Sequence, residues 1–217
     1  MKKIPSIVLL SVSMWACGPR ERISRETFEQ VNESMEVKRL TEVEIIEEAM
    51  MWGDSITSEA QIQLMSTLQN VLEERGAAGA LEFCNVNALP IIEEVATKHR
   101  VEIRRVSNRT RNPDNQPNQD EKDILEAYEF AAETGENANP NIQKLGGGEV
   151  LLYSRPIVIP STLCLNCHGK PGTDLDEDTA AKLTEFYPQD KAIDHKVGDL
   201  RGMWSVRIPK SEVVKRL

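Results

Sequence analysis

"ATKHRVEIRRVS", residues 96–107, is where the chain changes its period. Through Arg100 the sequence reads as a helix. From Val101 onward polar and apolar residues alternate and the apolar ones are β-branched, which predicts a strand over 101–107. A strand of that period puts Arg105 and Ser107 on one face and Arg104 on the other.

Upstream, everything reads as helix. Residues 24–52 contain no glycine or proline, and Phe28, Val31, Met35, Val43 and Ile46 recur at helical spacing. "GDSIT" at 53–57 predicts a break. Residues 58–75 carry an apolar stripe through Ala60, Leu64, Leu68, Val71 and Leu72. "RGAAGA" marks a turn, and a third helix follows over 80–100. Pro90 lies inside that helix, so a kink or restart is expected near 86–90.

Downstream, "NRTRNPDNQPNQ" is a structured loop and 120–134 a helix. Residues 149–159 form a strand or hairpin introduced by three glycines, and 201–213 a last strand. Helices come first, then strands enclosing a helix. That order predicts an α+β fold with an antiparallel sheet.

The chain has 217 residues, a prior for one domain plus a helical extension. With 40% hydrophobic residues it can bury a core, and with 5% aromatic that core is mostly aliphatic. The formal charge of −9 argues against nucleic-acid binding, which needs clustered Lys and Arg.

Lys2 and Lys3 precede an apolar run from Ile4 to Trp15, too short to span a bilayer comfortably. This predicts an export signal over 1–16. "SMWAC" has the form of a bacterial lipoprotein site, with Cys17 as the lipidated residue; simple secretion or an uncleaved anchor is the competing reading. Residues 17–23 make a tether. The expected location is outside the cytoplasm, in the periplasm, with a lipid holding the protein to a membrane it does not span.

"STLCLNCHGKPG", residues 161–172, contains Cys164, Cys167 and His168 in a C-x-x-C-H pattern. Two thiols at this spacing can add across the two vinyl groups of one haem, and the adjacent imidazole then reaches the iron. The pattern predicts covalent attachment of one haem c, with His168 as an axial ligand. Export agrees, because such attachment happens outside the cytoplasm. A redox disulfide would want a helix starting at the motif, which Gly169, Pro171 and Gly172 disfavour. A structural zinc site would want a second cysteine pair.

Cys84 is then left over. Its plain reading is a small buried hydrophobe. Its sharper reading is the second axial ligand, a thiolate that donates charge to iron and favours the ferric state. The rivals are His99, read as a helix cap at the surface, His195, read as part of a polar loop, and Met203, read as core.

Four segments carry a resemblance: "GAALEFCNVNALPI", "VEIRRVSNRTRNPDNQPNQDEKDIL", "YSRPIVIPSTLCLNCHGKP" and "FYPQDKAIDHKVGDLRGMWSVRI". Together, across about 79–209, they resemble the PAS-like c-type haem domain typified by the Tll-type haem proteins. That domain also occurs as the extracytoplasmic sensing part of bacterial signalling proteins.

The resemblance implies a PAS-like antiparallel sheet flanked by helices, with N-terminal helices over 24–78 and the haem domain over 79–217. It implies haem c on Cys164 and Cys167, and His168 and Cys84 as the axial pair. Where that family commonly has Gly-Tyr, this sequence has Asp194 and His195, which leaves His195 open as a local haem-pocket residue or a switchable ligand. Arg105, Arg109 and Arg111 are candidate partners for the haem propionates.

The expected function is electron transfer, with a separate redox protein as partner. The alternative is a sensor of redox state or of a gas such as NO or CO that signals through another protein. Two protein ligands on iron argue against an enzyme such as a peroxidase, which needs an open position. Either its own domain or a second copy of the chain, in a homodimer, offers a surface to the long helix at 24–52.

Overall fold

The computed structural model describes residues 24–34 and 39–217. Cys17 and the export signal lie outside the described residues. These residues divide between two compact units, split between Arg39 and Leu40. In the first, α1 (Arg25–Ser34) starts where the Ser24 hydroxyl accepts from the Thr27 amide at 3.0 Å.

The second unit begins with α2 (Glu42–His99). Residues 39–41 are not helical, so the helix expected over 24–52 is not continuous. The signal was local: Thr41 and Glu44 form a reciprocal capping box that starts a new helix.

"GDSIT" does not break α2. It is the patch on which the strand carrying Tyr153 and Arg155 rests. A Cβ on Gly53 would lie 2.3 Å from the Tyr153 ring, so glycine is there for close approach. Tyr153 donates to Asp54 at 2.5 Å, and Arg155 donates to Ser58 at 2.9 Å.

The break comes at Gly76 instead, at φ 68 and ψ −175. Beyond it the helix folds back. Lys98 and His99 both reach Glu59, at 2.6 and 2.8 Å. The two arms, 42–75 and 77–99, therefore run antiparallel as a helical hairpin. Pro90 lies within the second arm without non-helical dihedrals.

Next come β1 (Glu102–Val106), α3 (Gln119–Thr134), β2 (Asn141–Leu145) and β3 (Val150–Val158). They are followed by α4 (Leu165–His168), α5 (Glu177–Phe186), β4 (Leu200–Pro209) and α6 (Lys210–Val214). The sheet is antiparallel, in the order β1-β4-β3-β2. This is the expected α+β architecture, consistent with a PAS-like sheet flanked by helices. The last strand is shorter than expected because α6 takes up residues 210–214.

Alternation builds two cores. Ile103, Leu151, Tyr153, Trp204, Val206 and Ile208 face the α2 hairpin, against Trp52, Ile56, Ile92 and Val95. Val106, Leu152 and Met203 face α3, against Ile124, Leu125 and Tyr128. On that second face Glu121 is fully buried. It accepts from Arg104 at 2.7 Å and from the Ser205 hydroxyl at 2.7 Å, so its charge is matched.

Candidate functional site

A cleft with about 1490 Å³ of empty space, counting its open mouth, lies between the hairpin, the sheet end and the C-x-x-C-H segment. Its apolar wall comes from both hairpin arms, through Leu64, Leu68, Leu72 and Leu81. Cys84, Cys164, Cys167 and His168 all line it.

The motif's spacing has a geometric cause. A 3-10 turn (Thr162–Cys164) runs directly into α4. On this short helical run, positions three and four apart share a face. Cys164, Cys167 and His168 are so related, and all three reach the cleft.

One segment fixes the motif. The His168 Nδ1–H donates to the Ala192 carbonyl at 2.8 Å. His195 N–H donates to the His168 carbonyl and Asp194 N–H to that of Gly169, both at 2.9 Å. Arg111 pairs with Asp190 at 3.0 Å and donates to the Cys167 carbonyl at 2.5 Å and that of Ala192 at 3.2 Å. A carbonyl partner on Nδ1 sets the tautomer, leaving the His168 Nε2 lone pair free for a metal. Burial, with Arg111 and Arg201 nearby, drives its pKa well below 6.5, so the ring is neutral, as a ligand must be.

Cys84 is half-buried on the second hairpin arm. Burial raises its pKa, against the charges of Arg105 and Arg111. Burial pushes the Cys167 thiol up to about 11. Catalytic redox thiols carry lowered values, so this site is not arranged for disulfide exchange. None of the described cysteines is in a disulfide. Among the described residues, no group of three or more His, Cys, Asp or Glu is placed to hold a metal ion by side chains alone.

None of the rivals of Cys84 lines the cleft. Met203 is fully buried in the α3-side core. His99 is not a surface cap: it lies between Glu59 and Trp52, whose Nε1–H donates to it at 3.3 Å. His195 is not in an open polar loop either. Its ring is buried edge-on to His168, with centroids 6.1 Å apart, and its Nε2 has no hydrogen-bond partner among the described residues.

The candidate arginines separate. Arg105 and Arg111 line the cleft. Arg109 is spent on the bracing segment, donating to the carbonyls of Lys191 and Ile193 and lying 3.4 Å from His195 Nδ1. Sequence reasoning missed Arg201, which also lines the cleft. Its one signal was the glycine beside it in a strand, which marks a bulge or close backbone approach.

The family follows from a match of its model to residues 21–209, from before α1 to the end of β4. The chain belongs to the Tll0287-like family. The match takes in the helices from residue 21 as well as the four segments that carry the resemblance. Among solved structures, the crystal structure of the cyanobacterial haem protein Tll0287 is similar, with 25% identity and a TM-score of 0.46. The similarity covers 68% of this chain and 91% of that one. No curated protein matches.

Proposed function

We propose that this Tll0287-like chain is an exported, lipid-anchored haem protein that transfers electrons. One observation carries the reading: Cys84, Cys164, Cys167 and His168 line a single, largely apolar cleft. Cys164 and Cys167 would hold one haem c covalently, each S–H adding across one vinyl C=C. His168 Nε2 and the Cys84 sulfur would hold its iron. Bound there, the group supplies one-electron chemistry.

The chain's own residues do the rest. Arg111, Asp190 and Ala192 hold the His168 ring in one orientation, so little needs to move between oxidation states. Leu64, Leu68 and Leu72 exclude water from the inner wall. Val158 and Leu163 line the cleft and are 50% and 42% exposed, which brings an apolar edge to the surface where a redox partner can dock. A lipid on Cys17 would keep the protein at the membrane.

The test is a redox titration read by absorption and electron paramagnetic resonance, on wild type and Cys84→Ser. A covalent haem adduct by mass, and a low-spin thiolate signature lost in the variant, are the expected results. An unchanged signature overturns the role of Cys84, and an unmodified mass overturns haem c. Electron exchange with a small periplasmic cytochrome supports transfer. CO binding by the reduced form would instead favour the sensing function.

A further inference from the structure

The cleft has a cationic end as well as an apolar wall. Arg105, Arg111 and Arg201 all line it. Of these, only Arg111 has a carboxylate partner among the described residues, Asp190. Arg105 has no hydrogen-bond or ion-pair partner among the described residues. Arg201 donates through one terminal nitrogen to the Arg109 carbonyl at 3.1 Å, and its Nε is buried without a partner among the described residues. Burial first, then Arg111 and Arg105, pulls the Arg201 pKa down to about 9. Partly buried charges of one sign, left without counterions, are destabilising unless a ligand pairs them.

Arg105 reaches the cleft by ordinary alternation, on the face it shares with Ile103. Arg201 does not. In β4, Met203, Ser205 and Arg207 point towards α3, so regular alternation would send Arg201 there too. A β-bulge intervenes: Ile157 pairs with Gly202 and Val158 with Leu200, which leaves Arg201 as the extra residue. Bulges re-aim side chains. Below this one, Leu200 packs on the α3 side and Arg201 turns to the cleft. Gly202 makes the bend possible, with φ 153 and a Cβ position only 2.3 Å from the Val106 carbonyl oxygen.

We infer that Arg105 and Arg201 form a two-guanidinium seat for the carboxylates of the bound group, with Arg109 and Arg111 bracing the motif loop instead. The assignment rests on the haem reading above, since haem carries two propionates. Guanidinium–carboxylate contacts are charge-assisted and directional.

The test uses the full chain made without haem attachment. It is titrated with iron mesoporphyrin IX, which has two propionates and no vinyl groups, and with its dimethyl ester. Wild type should bind the diacid at least about tenfold more tightly than the ester. Arg201→Gln and Arg105→Gln should each reduce that preference, with Arg201→Lys in between. Equal binding of diacid and ester by wild type overturns the seat alone, whatever the variants do. Binding of neither porphyrin overturns the haem reading and the seat with it.

Discussion

Asp194 holds a backbone conformation that ordinarily belongs to glycine, at φ 57. It does so to let its own amide and that of His195 reach back to Gly169 and His168. Aspartate tolerates this region better than bulkier side chains. Asp194→Val should cost about 1–2 kcal/mol in urea unfolding, while Asp194→Gly should cost nothing. Glu59 gives a pH prediction. Its hydrogen bond with Lys98, then that with His99, lowers its pKa from the usual 4.5. A depressed carboxylate contributes stability above its unfolded value, and that stability is lost as pH falls through the folded one. The melting temperature of wild type should therefore drop faster below pH 4.5 than that of Glu59→Gln, when both are followed by circular dichroism.

The α2 hairpin shows how the same residue type carries opposite messages. Gly53 and Gly76 both read as helix breakers, yet only Gly76 is one. Periodicity records a helix but not what it packs against, and Gly53 is explained only by the Tyr153 ring from a distant strand. The sheet was legible where apolar and polar residues alternate, as in β1 and β4. Strand β2, "NIQKL", was missed because it is an edge strand with little burial. Helix α5 was missed too, although Asp176 caps it at the Thr179 amide. The two glycines predict different failures. Gly53→Ala should cost about 1–3 kcal/mol through overpacking against Tyr153. Gly76→Ala meets nothing within 4 Å, yet its dihedrals are open essentially to glycine alone. It should cost a similar amount by disfavouring the turn between the arms, and its loss should appear as weaker contact between Lys98 and Glu59.

Across the molecule, the motif was readable and the pocket around it was not. C-x-x-C-H is a local pattern, whereas the cleft joins residues from both hairpin arms, three strands and the loop at 107–115. Burial decided His195 and left no local pattern, while the β4 bulge that decided Arg201 left only Gly202 as its mark. The hairpin also divides in its support. Its base, through Trp52, Ile56, Ile92 and Val95, packs on the sheet. Its tip, through Leu64, Leu68, Leu72 and Leu81, faces the cleft, with α5 touching it at one side. A ligand filling the cleft gives that tip its missing apolar partner, and residues with few buried contacts open first. Replacing Cys164 and Cys167 with alanine, which prevents covalent attachment, should lower the melting temperature. In hydrogen exchange, amides of 61–88 should lose protection while those of 45–56 and 92–96 keep it. Uniform loss along both arms would mean that the hairpin opens as one unit and that the sheet contact does not anchor its base.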